Sequence, residues 1–177
     1  MNLEEKQISS KEIFNGKILK LNVDKISLPN GKEATREVVY HKGAVCVAAL
    51  TDDNELLFVR QYRYPFGKEL LELPAGKLED GISEIDNAKK ELIEETGAIG
   101  KDYEYLGAMY SSPGFTNEVV HMYFCHVDYF EDPSPDEDEF LDIVKIPLDK
   151  CLEMIYNDEI KDAKTQLLIL KIRNKLR

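Results

Sequence analysis

Residues Gly76 to Ala98 read Gly-Lys-Leu-Glu-Asp-Gly-Ile-Ser-Glu-Ile-Asp-Asn-Ala-Lys-Lys-Glu-Leu-Ile-Glu-Glu-Thr-Gly-Ala, and this stretch decides the fold. It opens with a turn bounded by glycines. Ser83 then suits the N-cap of a helix, with Asp86 three residues later in a position resembling a capping box. Gly97 suits the residue that stops a helix. The stretch therefore predicts a helix of about four turns.

The predicted helix carries two neighbouring stripes of side chains. At roughly 100° per residue, four side chains fall within about 80° and form a core-facing stripe: Ile85, Ala88, Leu92 and Thr96. A second stripe along its edge holds Glu91, Glu94 and Glu95. Carboxylates four residues apart repel each other, and a hard cation such as Mg²⁺ reconciles three of them beside a buried stripe. The alternative is a solvated acidic face, which is common in so acidic a chain.

Length and composition fit one globular domain with a sizeable core. The chain has 177 residues, of which 43% are apolar and 32% charged. The net charge of −11 argues against a nucleic-acid partner, which needs a basic surface. No apolar run is long enough to span a membrane, and the polar N-terminus has no signal-peptide character. We therefore expect a cytoplasmic protein without a membrane partner.

The three cysteines are expected to be buried, reduced thiols. Each of Cys46, Cys125 and Cys151 lies in an apolar run, and no Cys-x-x-Cys pair occurs. The three histidines show no zinc-ligand clustering.

The segments around the helix predict strands on both sides of it. Residues 17–28 and 35–41 read as an antiparallel hairpin joined by the turn at residues 29–32. Further strands are predicted over 44–51, 56–62, 69–73, 103–110, 118–129 and 140–146. Two more helices are predicted over 148–156 and 162–175, the latter with Asp162 as a candidate N-cap.

This order of elements predicts an α+β fold, drawn as an α/β/α sandwich around a mixed sheet. We expect residues 1–42 to form an N-terminal antiparallel hairpin or subsheet that serves dimerisation. Residues 43–177 would form the catalytic domain.

The quoted stretch resembles the Nudix box, which reads Gly, five residues, Glu, seven residues, Arg-Glu-apolar-any-Glu-Glu-any-Gly-apolar. The positions in register are Gly76, Glu91, Leu92, Glu94, Glu95, Gly97 and Ala98. Ile82 stands at the first Glu position and Lys90 at the Arg position. Since the other acidic positions are kept, these two departures look like the replacement of a supporting pair.

The likeness extends over nearly the whole chain. It also points to one subfamily, whereas the box alone points only to the family. The segments 59–63, 71–77, 112–118 and 136–140 are similar to those of the ADP-ribose pyrophosphatases of the Nudix family, and Pro113 past the box is that subfamily's mark. The resemblance implies a Mg²⁺-dependent, usually homodimeric enzyme, with Mn²⁺ as a substitute metal. Its substrate would be a small nucleoside diphosphate sugar, ADP-ribose, split at the pyrophosphate into AMP and ribose 5-phosphate.

The resemblance assigns roles residue by residue. Metal would be held by Glu91 and Glu95, with Glu94 beside them and the carbonyl of Ala75 completing the ligands. A salt bridge to Lys90 is the alternative for Glu94. The substrate-binding candidates are Arg36, Arg60, Arg63, Glu72, Pro113, Gly114 and Glu118.

These substrate-binding candidates differ in what they would do. Arg63 would grip phosphate oxygens with its fork of donors. Arg36 matches a position that contacts the nucleotide across a dimer. Glu118 would bind the terminal ribose, with help from Glu72. The alternatives are a plain strand charge for Arg36 and Arg60, and ordinary turn residues for Pro113 and Gly114.

The chemistry also needs a base that orients the attacking water. Glu137 is the first choice and Glu139 the second, on an acidic loop that closes over the substrate. A solvated acidic loop explains the composition of residues 131–139 equally well.

Two other functions stay open. The chain is a pyrophosphohydrolase of another nucleoside diphosphate sugar or a dinucleotide, or it is a ligand-sensing Nudix domain without catalysis.

Overall fold

A computed structural model of the chain describes residues 2–135 and 140–176. These residues form strands β1 to β10 and helices α1 to α3. The strands are β1 Lys6–Asn15, β2 Lys20–Ser27, β3 Glu33–Tyr40, β4 Ala44–Leu50, β5 Glu55–Arg63, β6 Lys68–Glu72, β7 Ala75–Lys77, β8 Ala98–Tyr110, β9 Val119–Phe130 and β10 Leu141–Pro147. The helices are α1 Glu84–Thr96, α2 Leu148–Tyr156 and α3 Ala163–Lys175.

The described residues fall into two compact units. The first comprises the described part of Met1–Gly43 together with Tyr110–Val119, and the second comprises Ala44–Met109 and the described part of Val120–Arg177. The segment Tyr110–Val119 belongs to the first unit, whereas the sequence predicted a single boundary at residue 42.

The first unit contains a three-stranded antiparallel sheet in the order β1-β2-β3. The predicted hairpin is present as β2 and β3, but β1 was not predicted. Every residue of β1 is exposed, so its sequence shows no alternation of apolar and polar residues. Polar contacts tie it to β2 instead, since Ser10 Oγ and Gln7 Nε2 donate to Asp24 at 2.5 and 2.8 Å.

The second unit is built on a seven-stranded mixed sheet. Its main order is β10-β5-β4-β9-β8, with β6 paired to β5 and β7 paired to β4. β4 and β9 run parallel, while β5 pairs antiparallel with β4, β6 and β10. The mixed sheet was predicted, but the three-residue strand β7 was not.

Alternation along β4 places helices on both faces of this sheet. One set of β4 side chains packs with Ala88 and Leu92 of α1: Val45, Val47 and Ala49. The alternate set packs with buried residues of α2 and α3: Cys46, Ala48 and Leu50. The second unit is therefore an α/β/α sandwich, as the sequence predicted.

The ends of α1 and α3 form as their sequences predict. Ser83 Oγ accepts a hydrogen bond from the backbone N–H of Asp86, and Gly97 has the left-handed φ of 69°. Asp162 caps α3 by accepting from the N–H of Thr165. A side chain at Gly97 would also meet the carbonyl oxygen of Glu131, because an added Cβ would lie 2.2 Å from it.

The three cysteines are free and buried, as predicted. Burial raises the thiol pKa of all three, to about 12 for Cys125 and Cys151. None of the described helices combines the length and the apolar character that crossing a membrane requires.

Candidate active site

The Glu91 carboxylate lies directly against the backbone of β7. A Cβ built on Gly76 would fall 1.9 Å from both Cδ and Oε1 of Glu91, far inside van der Waals contact. Only glycine at this position leaves room for the carboxylate. Gly76 and Glu91, although 15 residues apart in the sequence, therefore depend on each other in the structure.

Glu95, one helical turn further along α1, is also held by β7. Its side chain is 4% exposed, and its Oε2 accepts a hydrogen bond from the backbone N–H of Ala75 at 3.0 Å. Two carboxylates of α1 thus approach two consecutive backbone units, Ala75 and Gly76. The predicted metal ligands Ala75, Glu91 and Glu95 come together here.

This donor set fits a hard divalent cation. Mg²⁺ prefers oxygen ligands and is usually bound through one or two carboxylates plus substrate phosphates and waters. No group of three or more His, Cys, Asp or Glu side chains within residues 2–135 and 140–176 is arranged to enclose a metal. An ion held by two carboxylates would complete its shell with water and phosphate oxygens.

Glu94 lies on the same helix, in contact with Lys90. Lys90 Nζ is 3.5 Å from Glu94 Oε2 and also contacts Glu79 Oε1. The hydrogen bond to Glu79 raises the pKa of Lys90 against the opposing effect of burial, and the charge of Glu94 raises it further. Lys90, at the Arg position of the box, thus links α1 to the turn before it.

The candidate bases Glu137 and Glu139 lie outside the described residues. The segment that leads to them is fixed to the end of α1 by two backbone hydrogen bonds. The N–H of Glu131 donates to the carbonyl of Gly97 at 2.7 Å, and that of Ser134 donates to the carbonyl of Glu94 at 3.1 Å. Glu131 and Ser134 therefore lie at the carboxylate-bearing end of α1.

Arg63, the last residue of β5, forms a bidentate pair with Glu72 at the end of β6. Arg63 Nε and Nη2 donate to the two Glu72 oxygens at 2.6 and 2.7 Å. Glu72 is 2% exposed. Burial alone would raise its pKa, but the hydrogen bond from Arg63 and the charge of Lys164 outweigh this effect and lower the pKa to about 2.

Lys164, in the first turn of α3, completes this charge cluster. Its Nζ donates to Glu72 Oε2 at 2.5 Å and lies 3.0 Å from Asp162 Oδ1. Burial would lower the pKa of Lys164, yet the charges of Asp162 and Glu72 raise it above its usual value. We call Arg63, Glu72, Asp162 and Lys164 the β6–α3 charge cluster.

The sequence analysis did not assign a role to Lys164. A signal was present, however. Lysine is disfavoured in the first turn of a helix because the positive end of the helix dipole lies there, and α3 has no acidic residue in that turn. In the structure Lys164 pairs with two carboxylates, Glu72 and the N-cap residue Asp162.

The other predicted substrate-binding residues are not part of the β6–α3 charge cluster. Arg60 is exposed on β5, opposite Leu71 and Asp142. Four candidates lie in the first unit: Arg36, Pro113, Gly114 and Glu118. Arg36 is paired with Glu5, its Nε lying 3.0 Å from Oε2, while Glu118 Oε1 lies 3.4 Å from His41 Nδ1.

Comparison with known proteins confirms the family that the box resembles. Residues 39–165 match the NUDIX domain, and residues 5–39 match the nucleoside diphosphate sugar hydrolase N-terminal domain. The chain belongs to the Nudix family.

Two relatives are similar over almost their full length. The ADP-ribose pyrophosphatase of Bacillus subtilis (strain 168) is 41% identical over 170 residues, which cover 95% of this chain and 92% of that protein. The methanol dehydrogenase activator of Bacillus methanolicus is 42% identical over 168 residues, covering 94% and 91%. A solved structure described as an ADP compounds hydrolase superimposes with a TM-score of 0.88 at 19% identity, over 99% of this chain and 96% of that one, and supports the fold.

Proposed function

We propose that this protein hydrolyses the pyrophosphate bond of ADP-ribose to AMP and ribose 5-phosphate with Mg²⁺, which Mn²⁺ can replace. The observation that carries the proposal is the approach of the Glu91 and Glu95 carboxylates to the Ala75–Gly76 backbone. The name of the Bacillus subtilis relative supports ADP-ribose as the substrate.

The residues of this site would divide the work of holding metal and substrate. Glu91 and Glu95, with the Ala75 carbonyl and Glu94, would ligate the metal. When bound, the metal would neutralise charge on the phosphates and lower the pKa of a coordinated water. Arg63 uses two of its five N–H groups on Glu72, which leaves the others for phosphate oxygens.

Glu137 would accept the proton of the attacking water, with Glu139 as the second candidate. The two hydrogen bonds that fix Glu131 and Ser134 to α1 support this role, because they start the acidic segment beside the metal-binding helix. A carboxylate in that segment can serve as a base without being part of the core.

We also propose a homodimer in which Arg36, Pro113, Gly114 and Glu118 of the first unit help to bind the nucleoside diphosphate sugar. Strand β1 of that unit, which is exposed along its whole length, and the match of residues 5–39 to a hydrolase N-terminal domain support this assembly. Sedimentation at micromolar concentration should give the mass of two chains. A fully active monomer would contradict it. Three free, buried thiols fit a cytoplasmic location.

A substrate panel tests the proposed reaction. ADP-ribose, other nucleoside diphosphate sugars and dinucleotides are each incubated with Mg²⁺, and the products are identified chromatographically. We expect AMP and ribose 5-phosphate from ADP-ribose, and no turnover after exhaustive EDTA treatment until Mg²⁺ is restored. Preferred cleavage of another compound would support the alternative substrate class. Binding of ADP-ribose without turnover of any compound would support a sensing domain.

A further inference from the structure

The β6–α3 charge cluster joins Arg63 to a helix that carries none of the predicted ligands. Its two cations and two carboxylates balance one another. Lys164 contributes the second cation, and the Glu72 oxygen that it binds, Oε2, is the one that also accepts from Arg63 Nη2. Arg63 and Lys164 therefore share one carboxylate oxygen of Glu72.

We propose that Lys164 is a positioning residue for pyrophosphate binding, which acts through Glu72 on Arg63. Without Lys164, a buried carboxylate pairs with Arg63 alone, and the arginine charge is neutralised before a phosphate can use it. With Lys164, Glu72 is shared between two cations, so Arg63 keeps charge to offer to an anion. This inference rests on the proposed function, because it takes Arg63 as the phosphate-binding arginine.

A second contact shows that the same turn of α3 supports the chain between Arg63 and the metal ligands. Thr165 Oγ1 accepts a hydrogen bond from the backbone N–H of Leu73 at 2.9 Å, and both groups are buried. Leu73 follows Glu72 directly and precedes the segment that contains Ala75. The first turn of α3 therefore holds both the side chain of Glu72 and the backbone that leads to the candidate metal site.

Substitution of Lys164 by methionine tests the electrostatic part of this role. Methionine keeps an unbranched apolar stem but removes the charge, which leaves two carboxylates against one arginine. We expect Lys164→Met to weaken ADP binding by about tenfold, since truncating one partner of a buried charge pair is costly, and to raise KM while kcat changes less. Lys164→Arg should restore most of the affinity.

The matched control is Lys171→Met on the same helix. Lys171 is partly buried and donates to the carbonyl of Leu106 at 2.7 Å, away from Arg63. This control loses a similar lysine and should lose stability without losing ADP affinity. Equal weakening by both variants would overturn the proposal, as would a folded Lys164→Met protein with unchanged ADP affinity.

Asp162→Asn should change ADP affinity in the opposite direction to Lys164→Met while it keeps the N-cap of α3. Asparagine is about as good an N-cap as aspartate, so α3 should still form. The cluster would then hold two cations against one carboxylate, and ADP should bind more tightly than to the wild type. Weaker or unchanged ADP binding would overturn the proposal even if Lys164→Met fails to fold.

ADP binding is measured by calorimetry in the presence of Mg²⁺. Because this measurement does not depend on turnover, it separates this inference from the proposed function. Wild type that binds ADP but does not split ADP-ribose would refute the proposed reaction and leave the Lys164 test intact. A readout without ligand is the hydrogen-exchange rate of the Arg63 Nε–H by NMR. It should fall about tenfold in Lys164→Met, as a gain of roughly 1.4 kcal/mol of protection implies, because Glu72 then pairs with Arg63 alone. An unchanged rate would overturn the proposal.

Discussion

Two buried carboxylates of the second unit, Glu72 and Glu95, are held in different ways. Glu72 is held by the charged side chains of Arg63 and Lys164, whereas Glu95 accepts a hydrogen bond from the uncharged backbone N–H of Ala75. Two cations compensate the charge of a carboxylate, whereas a backbone N–H fixes its position. The comparison supports our proposals that Glu72 organises an arginine and that Glu95 is a metal ligand.

The predictions below test the proposed roles of these carboxylates, beginning with the proposed base Glu137, for which the largest effect is expected. We expect Glu137→Gln to lower kcat for ADP-ribose by about 10²–10⁴, the usual cost of losing general-base help. KM should change little because Arg63 and the metal ligands are untouched. The measurement is kcat at saturating Mg²⁺, with Glu139→Gln beside it. Loss of kcat in Glu139→Gln alone would assign the base to Glu139, and full kcat in both would remove this segment from the chemistry.

Gly76→Ala should disturb the α1 carboxylates while the fold survives. The added Cβ meets the flexible end of Glu91, which can move away without unfolding the core. We expect the Mg²⁺ concentration for half-maximal activity to rise about 10–100-fold, as for lost support of metal ligands, with little change in Tm. Gly81→Ala is the control, because a Cβ there meets nothing within 4 Å, although φ is +83°. Unchanged Mg²⁺ dependence in Gly76→Ala would argue against Glu91 as a ligand.

Glu72 should make the free energy of unfolding depend on pH in the acid range. Its pKa falls from 4.5 in its ordinary environment to about 2 in the folded protein. The stabilising charge is therefore fully present above pH 4.5 and is lost as the pH falls towards 2. The contribution is on the order of 3 kcal/mol.

Urea unfolding of wild type and Glu72→Gln across this pH range measures that contribution. The difference in free energy of unfolding between the two proteins should shrink as the pH falls. A constant difference between wild type and Glu72→Gln would show that the ionised pair does not stabilise the fold.

The smallest effect is expected for Ile82→Glu combined with Lys90→Arg, which restores the family residues of the box. Ile82 is 39% exposed, so a charge there costs little burial, and arginine can keep the ion pairs of Lys90 with Glu79 and Glu94. Activity should stay within about threefold of wild type or rise, since exposed pairs contribute at most about 1 kcal/mol. A collapse of kcat in a stable double variant would show that these two residues are not a replaced supporting pair.

The sequence predicted those elements whose signals are local. Ser83, Gly97 and Asp162 act at helix ends through contacts a few residues away, so their roles could be read directly. β1 could not be found from periodicity, because it is exposed throughout and joins its neighbour partly through polar side chains. Glu72 was predicted to help bind ribose, and its contact with Lys164 could not be read because 92 residues separate them.

The burial of all three cysteines has a practical consequence. Cys46, Cys125 and Cys151 are fully inaccessible, and a thiol with a pKa near 12 is hardly ionised at neutral pH. Since thiolate is the species that reacts with maleimides and disulfides, the native chain should resist such reagents. A cysteine introduced at an exposed position, such as Tyr156→Cys at the end of α2, should then accept a single fluorophore without removal of the native thiols. The folded protein can therefore be labelled at one chosen site while its native cysteines stay in place.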